Sequence, residues 1–208
     1  MPTFRKPLPY AATYTLVGIV PLSMAAASLD DFPIPKNLRD SAVLVPVFRD
    51  AAGEVQIVMV RRGNFGVHGG QLAFPGGKHE PTDASLQATA LREAHEEVHL
   101  PPANVEILTS LPTVAVPTGF RIAPFLGRIR RPEVWQWQAE EIDEVLEIPL
   151  RYLLDAATHT EEDWHLPGWP APRRVPYYRI AGGYKLWGAS YRIITPLLPR
   201  LLAGEWNV

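Results

Sequence analysis

Apolar side chains run with hardly a break from Ser41 through Phe48, and again from Val55 through Val60. Between them, Arg49-Asp50-Ala51-Ala52-Gly53 carries turn chemistry. The two runs therefore read as the strands of a hairpin. A glycine-rich stretch follows, Gly63 to Gly77, holding the brief strand-like piece Leu72-Ala73-Phe74. Pro81-Thr82-Asp83 then marks a helix start, with Asp83 or Ser85 as the N-cap. From about Ala84 to about Val98 the chain is filled with good helix formers, and Pro101-Pro102 stops it. Val105 to Pro112 and Arg121 to Ile129 read as strands. An acidic stretch from Trp135 to Glu147 leads into a strand at Ile148-Pro149-Leu150, and Arg151 to Ala157 reads as a short helix. Glu161 to Pro176 is Pro-rich and reads as loop. Tyr177 to Ile180 and Tyr184 to Trp187 flank Gly182-Gly183 as a hairpin, and Gly188 to Leu202 is a final helix, interrupted or begun near Pro196. Strands and two substantial helices interleave, which predicts an α+β fold with a mixed sheet packed between helices.

The chain before this pattern is different. Arg5 and Lys6 precede a stretch without charge until Asp30, and Asp30 to Asp40 is a polar connector with Pro33 and Pro35. A basic start and an apolar run are features of a signal peptide. Thr13, Tyr14, Thr15, Gly18 and Pro21 dilute the run, so the expectation is a segment packed on the domain and not a membrane span. Residues 1–40 are thus an N-terminal extension and connector, and 41–208 the domain. A chain of 208 residues fits one large domain, and 47% hydrophobic with 20% charged residues is enough for a packed core. A formal net charge of -2 offers no basic excess for nucleic acid. With no cysteine, disulfides, a thiol nucleophile and thiolate metal sites are excluded, and a cytoplasmic location is the expectation.

The chemistry lies at Arg92-Glu93-Ala94-His95-Glu96-Glu97. At about 100° per residue, Glu93 and Glu97 stand about 40° apart and Glu96 about 60° to the other side of Glu93. All three carboxylates project from one face, while Ala88, Leu91, Ala94 and Val98 occupy much of the opposite stripe. Three like charges so close call for solvent, basic partners or a cation, and hard oxygen ligands suit Mg²⁺ or Mn²⁺. A solvated acidic helix face is the plainer alternative. It leaves unexplained why Gly76-Gly77 stands just upstream.

That combination resembles the Nudix box: Gly, five residues, Glu, seven residues, then Arg-Glu-apolar-x-Glu-Glu-x-Gly-apolar. The chain matches at Gly77, Arg92, Glu93, Ala94, Glu96, Glu97 and Leu100. His99 replaces the last Gly, Ala84 stands at the expected place of the upstream Glu with Asp83 one residue earlier, and the spacing holds one inserted residue. The resemblance implies an α/β/α sandwich of Nudix type and metal-dependent hydrolysis of a diphosphate linkage. It also implies Glu93 and Glu97 as foremost metal ligands, Glu96 as a third ligand or one acting through water, and Arg92 as orienter of a glutamate. Glu141 would be a further ligand or the general base, with Glu140 and Glu144 as competitors.

A second resemblance concerns the substrate. Coenzyme A pyrophosphatases of the Nudix superfamily carry Leu-Leu-Thr-x-Arg-Ser, then Leu-Arg-x-His-x-Gly-Gln-apolar-Ala-Phe-Pro-Gly-Gly. Arg61, Phe65, His68 and Gly70 to Gly77 stand in register with it. Thr82 to Ser85, Pro117-Thr118-Gly119-Phe120, Glu141 ahead of Ile148-Pro149-Leu150, and Trp187-Gly188 extend the likeness. Gly66 stands where the family has its second Arg, and Met59 and Arg62 replace the Thr and Ser. Arg61 and Arg62 remain as guanidinium groups to grip phosphate, unless they are only a solvated strand end. The resemblance implies coenzyme A as the favoured nucleoside diphosphate derivative, with Arg61, Arg62, His68, Gln71, Gly76 and Gly77 as substrate contacts. The alternatives are ADP-ribose, NADH or another nucleoside diphosphate derivative, or a non-catalytic Nudix-fold binding domain. No nucleic-acid or membrane partner is expected, and a homodimer is left open.

Overall fold

The computed structural model describes residues 34–63, 69–166 and 169–208. The N-terminal segment, Phe65, Gly66 and His68 lie outside the described residues. In chain order the elements are β1 (Arg39–Arg49), β2 (Val55–Arg62), β3 (Leu72–Ala73), β4 (Gly76–Lys78), α1 (Leu86–Val98), β5 (Val105–Ser110), β6 (Val114–Val116), β7 (Phe120–Ile129) and β8 (Ile142–Pro149). There follow α2 (Leu150–Leu154), β9 (His159–Trp164), β10 (Arg173–Ile180), β11 (Tyr184–Leu186), α3 (Gly188–Ile194) and α4 (Leu198–Leu202).

Strands β1 to β8 form one mixed sheet. β1 runs parallel to β7, with Ala42 opposite Ala123 and Val47 opposite Arg128. On its other edge β1 pairs with β2 only at the hairpin end, Val47 opposite Ile57. Farther along, the two strands diverge. Their gap is filled by β3, paired with the end of β2, and β4, paired with the start of β1. The bend between them is pinned by the Leu44 N–H, which donates to Pro75 O at 2.9 Å. The segment Gln71 to Lys78 is thus a wedge driven into the middle of the sheet.

The apolar runs of β1 and β2 are unbroken because both faces are covered. Side chains alternate across a strand. Ala42, Leu44, Val58 and Val60 therefore pack under α1, against Ala90, Ala94 and Val98. Val45, Val47, Ile57 and Met59 face the other way, toward Leu153 of α2, Tyr191 and Ile194 of α3 and Leu198 and Leu201 of α4. A mixed sheet between helices is the α+β arrangement expected from the sequence. No helix among the described residues is long and apolar enough to cross a membrane.

The structure corrects the expected loop at Glu161 to Pro176. Its first part lies in β9, its last in β10, and together with β11 these form a separate three-stranded sheet. Cross-strand pairs hold it: Arg174 Nε to Glu161 at 3.2 Å, Lys185 Nζ to Glu162 at 2.7 Å, and the Trp164 and Tyr177 rings with centroids 5.4 Å apart. The final helix is broken as expected, into α3 and α4 on either side of Pro196. Only α1 is a substantial helix among the described residues; the others have 7 residues or fewer.

Candidate active site

Ser85 begins α1, its Oγ accepting the Ala88 N–H at 3.1 Å. Asp83, the other expected cap, does something different. Its carboxylate grips Arg92 in two places, Nε at 2.9 Å and Nη2 at 3.1 Å, and accepts the Thr89 hydroxyl at 2.9 Å. Counted from Gly77, five residues intervene before Asp83, so the inserted residue lies between Asp83 and Arg92. Asp83 takes the place of the upstream glutamate of the box. The hydrogen bond from Arg92 holds the Asp83 carboxyl far below the usual carboxylate range.

The remaining Arg92 contacts are all within the protein. Nη1 donates to Glu96 Oε2 at 2.8 Å, and Nη2 lies 3.1 Å from both Glu93 Oε1 and the Lys78 carbonyl. With its guanidinium engaged on every nitrogen, Arg92 holds carboxylates and does not face a ligand.

The three glutamates do not share one exposed face. Glu96 turns outward to Arg92, its side chain 51% exposed, while Glu93 is half-buried and Glu97 is 2% exposed. Among the described residues no three acidic or imidazole groups converge on one point. Helical geometry alone missed this because the cover over Glu97 comes from elsewhere in the chain. The Gly76 N–H donates to Glu97 Oε2 at 3.0 Å, Arg62 Nη1 lies 3.8 Å from Oε1, and the Gln138 N–H donates to the Glu97 carbonyl at 2.9 Å. Burial pushes the Glu97 carboxyl up to about 7; Gly76 and Arg62 oppose the rise, and the charges of Glu93 and Glu141 add to it. Burial likewise raises Glu93.

Gly77 is pressed against Glu93: a Cβ there would coincide with the Glu93 carboxylate. At Gly76 a Cβ would strike the backbone of Ala42 and Val43. The glycines of the wedge are what let α1 bring its carboxylates onto the sheet.

Glu141 sits in the loop before β8, its carbonyl accepting the Gly63 N–H at 2.7 Å. Its charge bears on both Glu93 and Glu97. Glu144 is committed elsewhere, accepting the Tyr184 hydroxyl at 2.7 Å. Arg61 and Arg62 part company. Arg62 looks toward Glu97, whereas Arg61 is on the opposite face, 2.8 Å from Asp143. Gln71 stands at the head of β3, its carbonyl accepting the Arg62 N–H at 3.0 Å. Arg121 and Arg128 of β7, and Arg131 beyond its end, make ion pairs within the protein with Asp40, Glu106 and Glu147.

Burial first, and neighbouring carboxylate charge after it, raise both Glu93 and Glu97, whose oxygens are hard donors. A divalent cation fits such donors, because it would relieve that repulsion.

A family model of the NUDIX domain matches residues 38–173. Proteins of Salmonella paratyphi B and Salmonella newport described as an uncharacterized Nudix hydrolase, NudL, are each 36% identical over 162 residues, 77% of this chain and 82% of theirs. The fold is shared with RenU, a Nudix hydrolase of M. smegmatis (TM-score 0.56, 15% identity, 83% of this chain and 90% of that one). It is also shared with a MutT/nudix family protein of Enterococcus faecalis (TM-score 0.52, 16% identity, 83% of this chain and 65% of that one). The chain belongs to the Nudix hydrolase family, enzymes that act on diphosphate bonds and generally use divalent metal ions.

Proposed function

We propose that this protein hydrolyses the diphosphate linkage of coenzyme A or its derivatives, using Mg²⁺ or Mn²⁺. One water is added across the P–O–P bridge, giving adenosine 3',5'-bisphosphate and 4'-phosphopantetheine. The observation that carries this reading is the Gln71 to Gly77 stretch. It is in register with the coenzyme A pyrophosphatases, and it is the same wedge whose Gly76 N–H reaches Glu97.

Glu93 and Glu97 are the proposed ligands, with Glu96 a third carboxylate at the rim. A cation held there supplies charge neutralisation on the phosphate oxygens and a better water nucleophile. The chain's own groups do the rest. Glu141 accepts the proton of the attacking water as general base, or else adds a ligand. Arg92 and Asp83 fix the helix carboxylates, and Arg62 offers a guanidinium to a phosphate oxygen beside Glu97. Gln71, Gly76, Gly77 and His68 complete the proposed substrate contacts, while the ion pairs of Arg61 favour a structural part for that residue. A cysteine-free chain acting on a coenzyme supports a cytoplasmic place of action.

The test is incubation with Mg²⁺ or Mn²⁺ and coenzyme A, an acyl-coenzyme A, ADP-ribose and NADH, with products resolved by chromatography. Coenzyme A cleaved fastest is the expected result. Preference for ADP-ribose or NADH, the alternatives that Gly66 keeps open, overturns the substrate and keeps the chemistry. Folded protein that cleaves none of them overturns the hydrolase reading for this panel.

A further inference from the structure

The end of β2 is held from both faces of the sheet. Opposite it, β8 carries one extra residue: Arg61 pairs with Glu144 and Arg62 with Ile142, which leaves Asp143 as the bulge. Bulges re-aim side chains next to functional sites. Here the bulge lets Asp143 and Glu144 both approach Arg61, at 2.8 and 3.7 Å. The longer distance is no hydrogen bond, and Arg61 Nε is shut off from solvent without a hydrogen-bond partner. Glu144 Oε2 is taken by the Tyr184 hydroxyl at 2.7 Å, and the Arg61 guanidinium lies over the Tyr184 ring, 5.7 Å from its centroid. Tyr184 belongs to β11, in the separate C-terminal sheet.

The next two residues turn to the box. Arg62 Nη1 lies 3.8 Å from Glu97 Oε1, and the Gly63 N–H donates to the Glu141 carbonyl at 2.7 Å. Three consecutive residues therefore join the C-terminal sheet to the buried carboxylate and to the loop that carries Glu141. Tyr184 and Glu144 meet the end of β2 at Arg61, the residue that precedes Arg62 and Gly63.

We infer that Tyr184 is a positioning residue for hydrolysis: by holding Glu144, and with it Arg61, it fixes the strand end from which Arg62 and Gly63 set Glu97 and Glu141. The inference rests on the box helix being the seat of the reaction, but not on coenzyme A being the substrate. Tyr184→Phe removes one hydroxyl and keeps the ring under Arg61. With whichever panel substrate the wild type cleaves, kcat should fall about 10-fold with KM nearly unchanged, as a small misplacement of reacting groups requires. The effect should vanish in an Arg62→Ala background, because both changes act through one path. By residue-resolved amide exchange, the Gly63 N–H should exchange about 10-fold faster in Tyr184→Phe, with the α1 amides unchanged.

Unaltered Gly63 exchange overturns the linkage. Faster exchange with unaltered kcat, or effects of Tyr184→Phe and Arg62→Ala that simply add, overturns its part in hydrolysis. If the wild type cleaves nothing in the panel, the catalytic reading of the site fails, and Tyr184's role in hydrolysis with it. The exchange experiment still decides whether Tyr184 holds the strand end.

Discussion

The backbone N–H of Gly76 donates to Glu97 Oε2 at 3.0 Å, inside the protein and 21 residues away along the chain. This bond ties the wedge in the sheet to the last turn of α1. It supplies a buried carboxylate with a donor that no side-chain change removes. Removal of the charge alone should therefore separate chemistry from folding.

In Glu97→Gln the amide oxygen still accepts from Gly76, so the fold should persist while kcat falls about 100-fold or more through loss of a metal ligand. Stability should move the other way in metal-free protein. The folded state keeps the Glu97 proton up to about 7, against an ordinary 4.5, so between these values it binds more protons than the unfolded chain. In EDTA the wild type should gain stability on acidification from pH 8 to pH 5, by about 1–3 kcal/mol relative to Glu97→Gln. Urea unfolding of both proteins at the two pH values checks this. A parallel pH response in the two proteins counts against it.

Gly77→Ala should cost activity more than stability. The new methyl displaces the end of the Glu93 side chain, a group that can swing aside, and meets no backbone within its three nearest contacts. The expected outcome is a melting temperature within about 2 °C of wild type and a kcat lower by about 100-fold, since misplacement by about 1 Å is enough. Thermal melts and steady-state rates decide it.

His99 closes α1 in the left-handed region, φ 50°, where the box has glycine. A side chain in that conformation costs about 1–2 kcal/mol, partly offset by the extra freedom of glycine in the unfolded chain. His99→Gly should stabilise the protein by about 1 kcal/mol and raise its melting temperature by about 2–4 °C. An unchanged or lower melting temperature would show that the histidine side chain has its own contribution.

Asp83→Ala removes the acceptor of Arg92 Nε and of the Thr89 hydroxyl, and should destabilise by about 2–3 kcal/mol. Because the folded carboxyl is held far below its usual range, its stabilisation is fully present above about pH 5 and is lost as pH falls toward the folded value. The gap between wild type and Asp83→Ala in urea unfolding should be constant above pH 5 and narrow below pH 4.

Much of this was legible in the residues. The apolar runs of β1 and β2 marked the two strands of a hairpin, and α1 was bounded by its cap and by Pro101-Pro102. Helical pitch put Glu93, Glu96 and Glu97 on one face, whereas the structure turns Glu96 outward and buries Glu97. What pitch could not tell was which glutamate is buried, because Gly76, Arg62 and Gln138 reach Glu97 through long-range topology. Arg61 and Arg62 looked equivalent as neighbours, and strand alternation with the bulge at Asp143 sends them to opposite faces. β9 escaped notice because Glu161, Glu162 and Asp163 mask its alternation, and their partners arrive from β10 and β11. Asp83 was in view as a cap, and the spacing from Gly77 was the clue to its other role.

The wedge between β1 and β2 also bears on how such an enzyme diverges. Its centre is built from main-chain donors and from positions where a methyl group already intrudes. A side chain added at Gly76 or Gly77 strikes the backbone of β1 or the carboxylate of Glu93. The loop before β8 carries exposed side chains such as Glu140 and Glu141, where change leaves the sheet intact. On this scaffold the carboxylate centre leaves no room for added side chains, while its rim is free to vary.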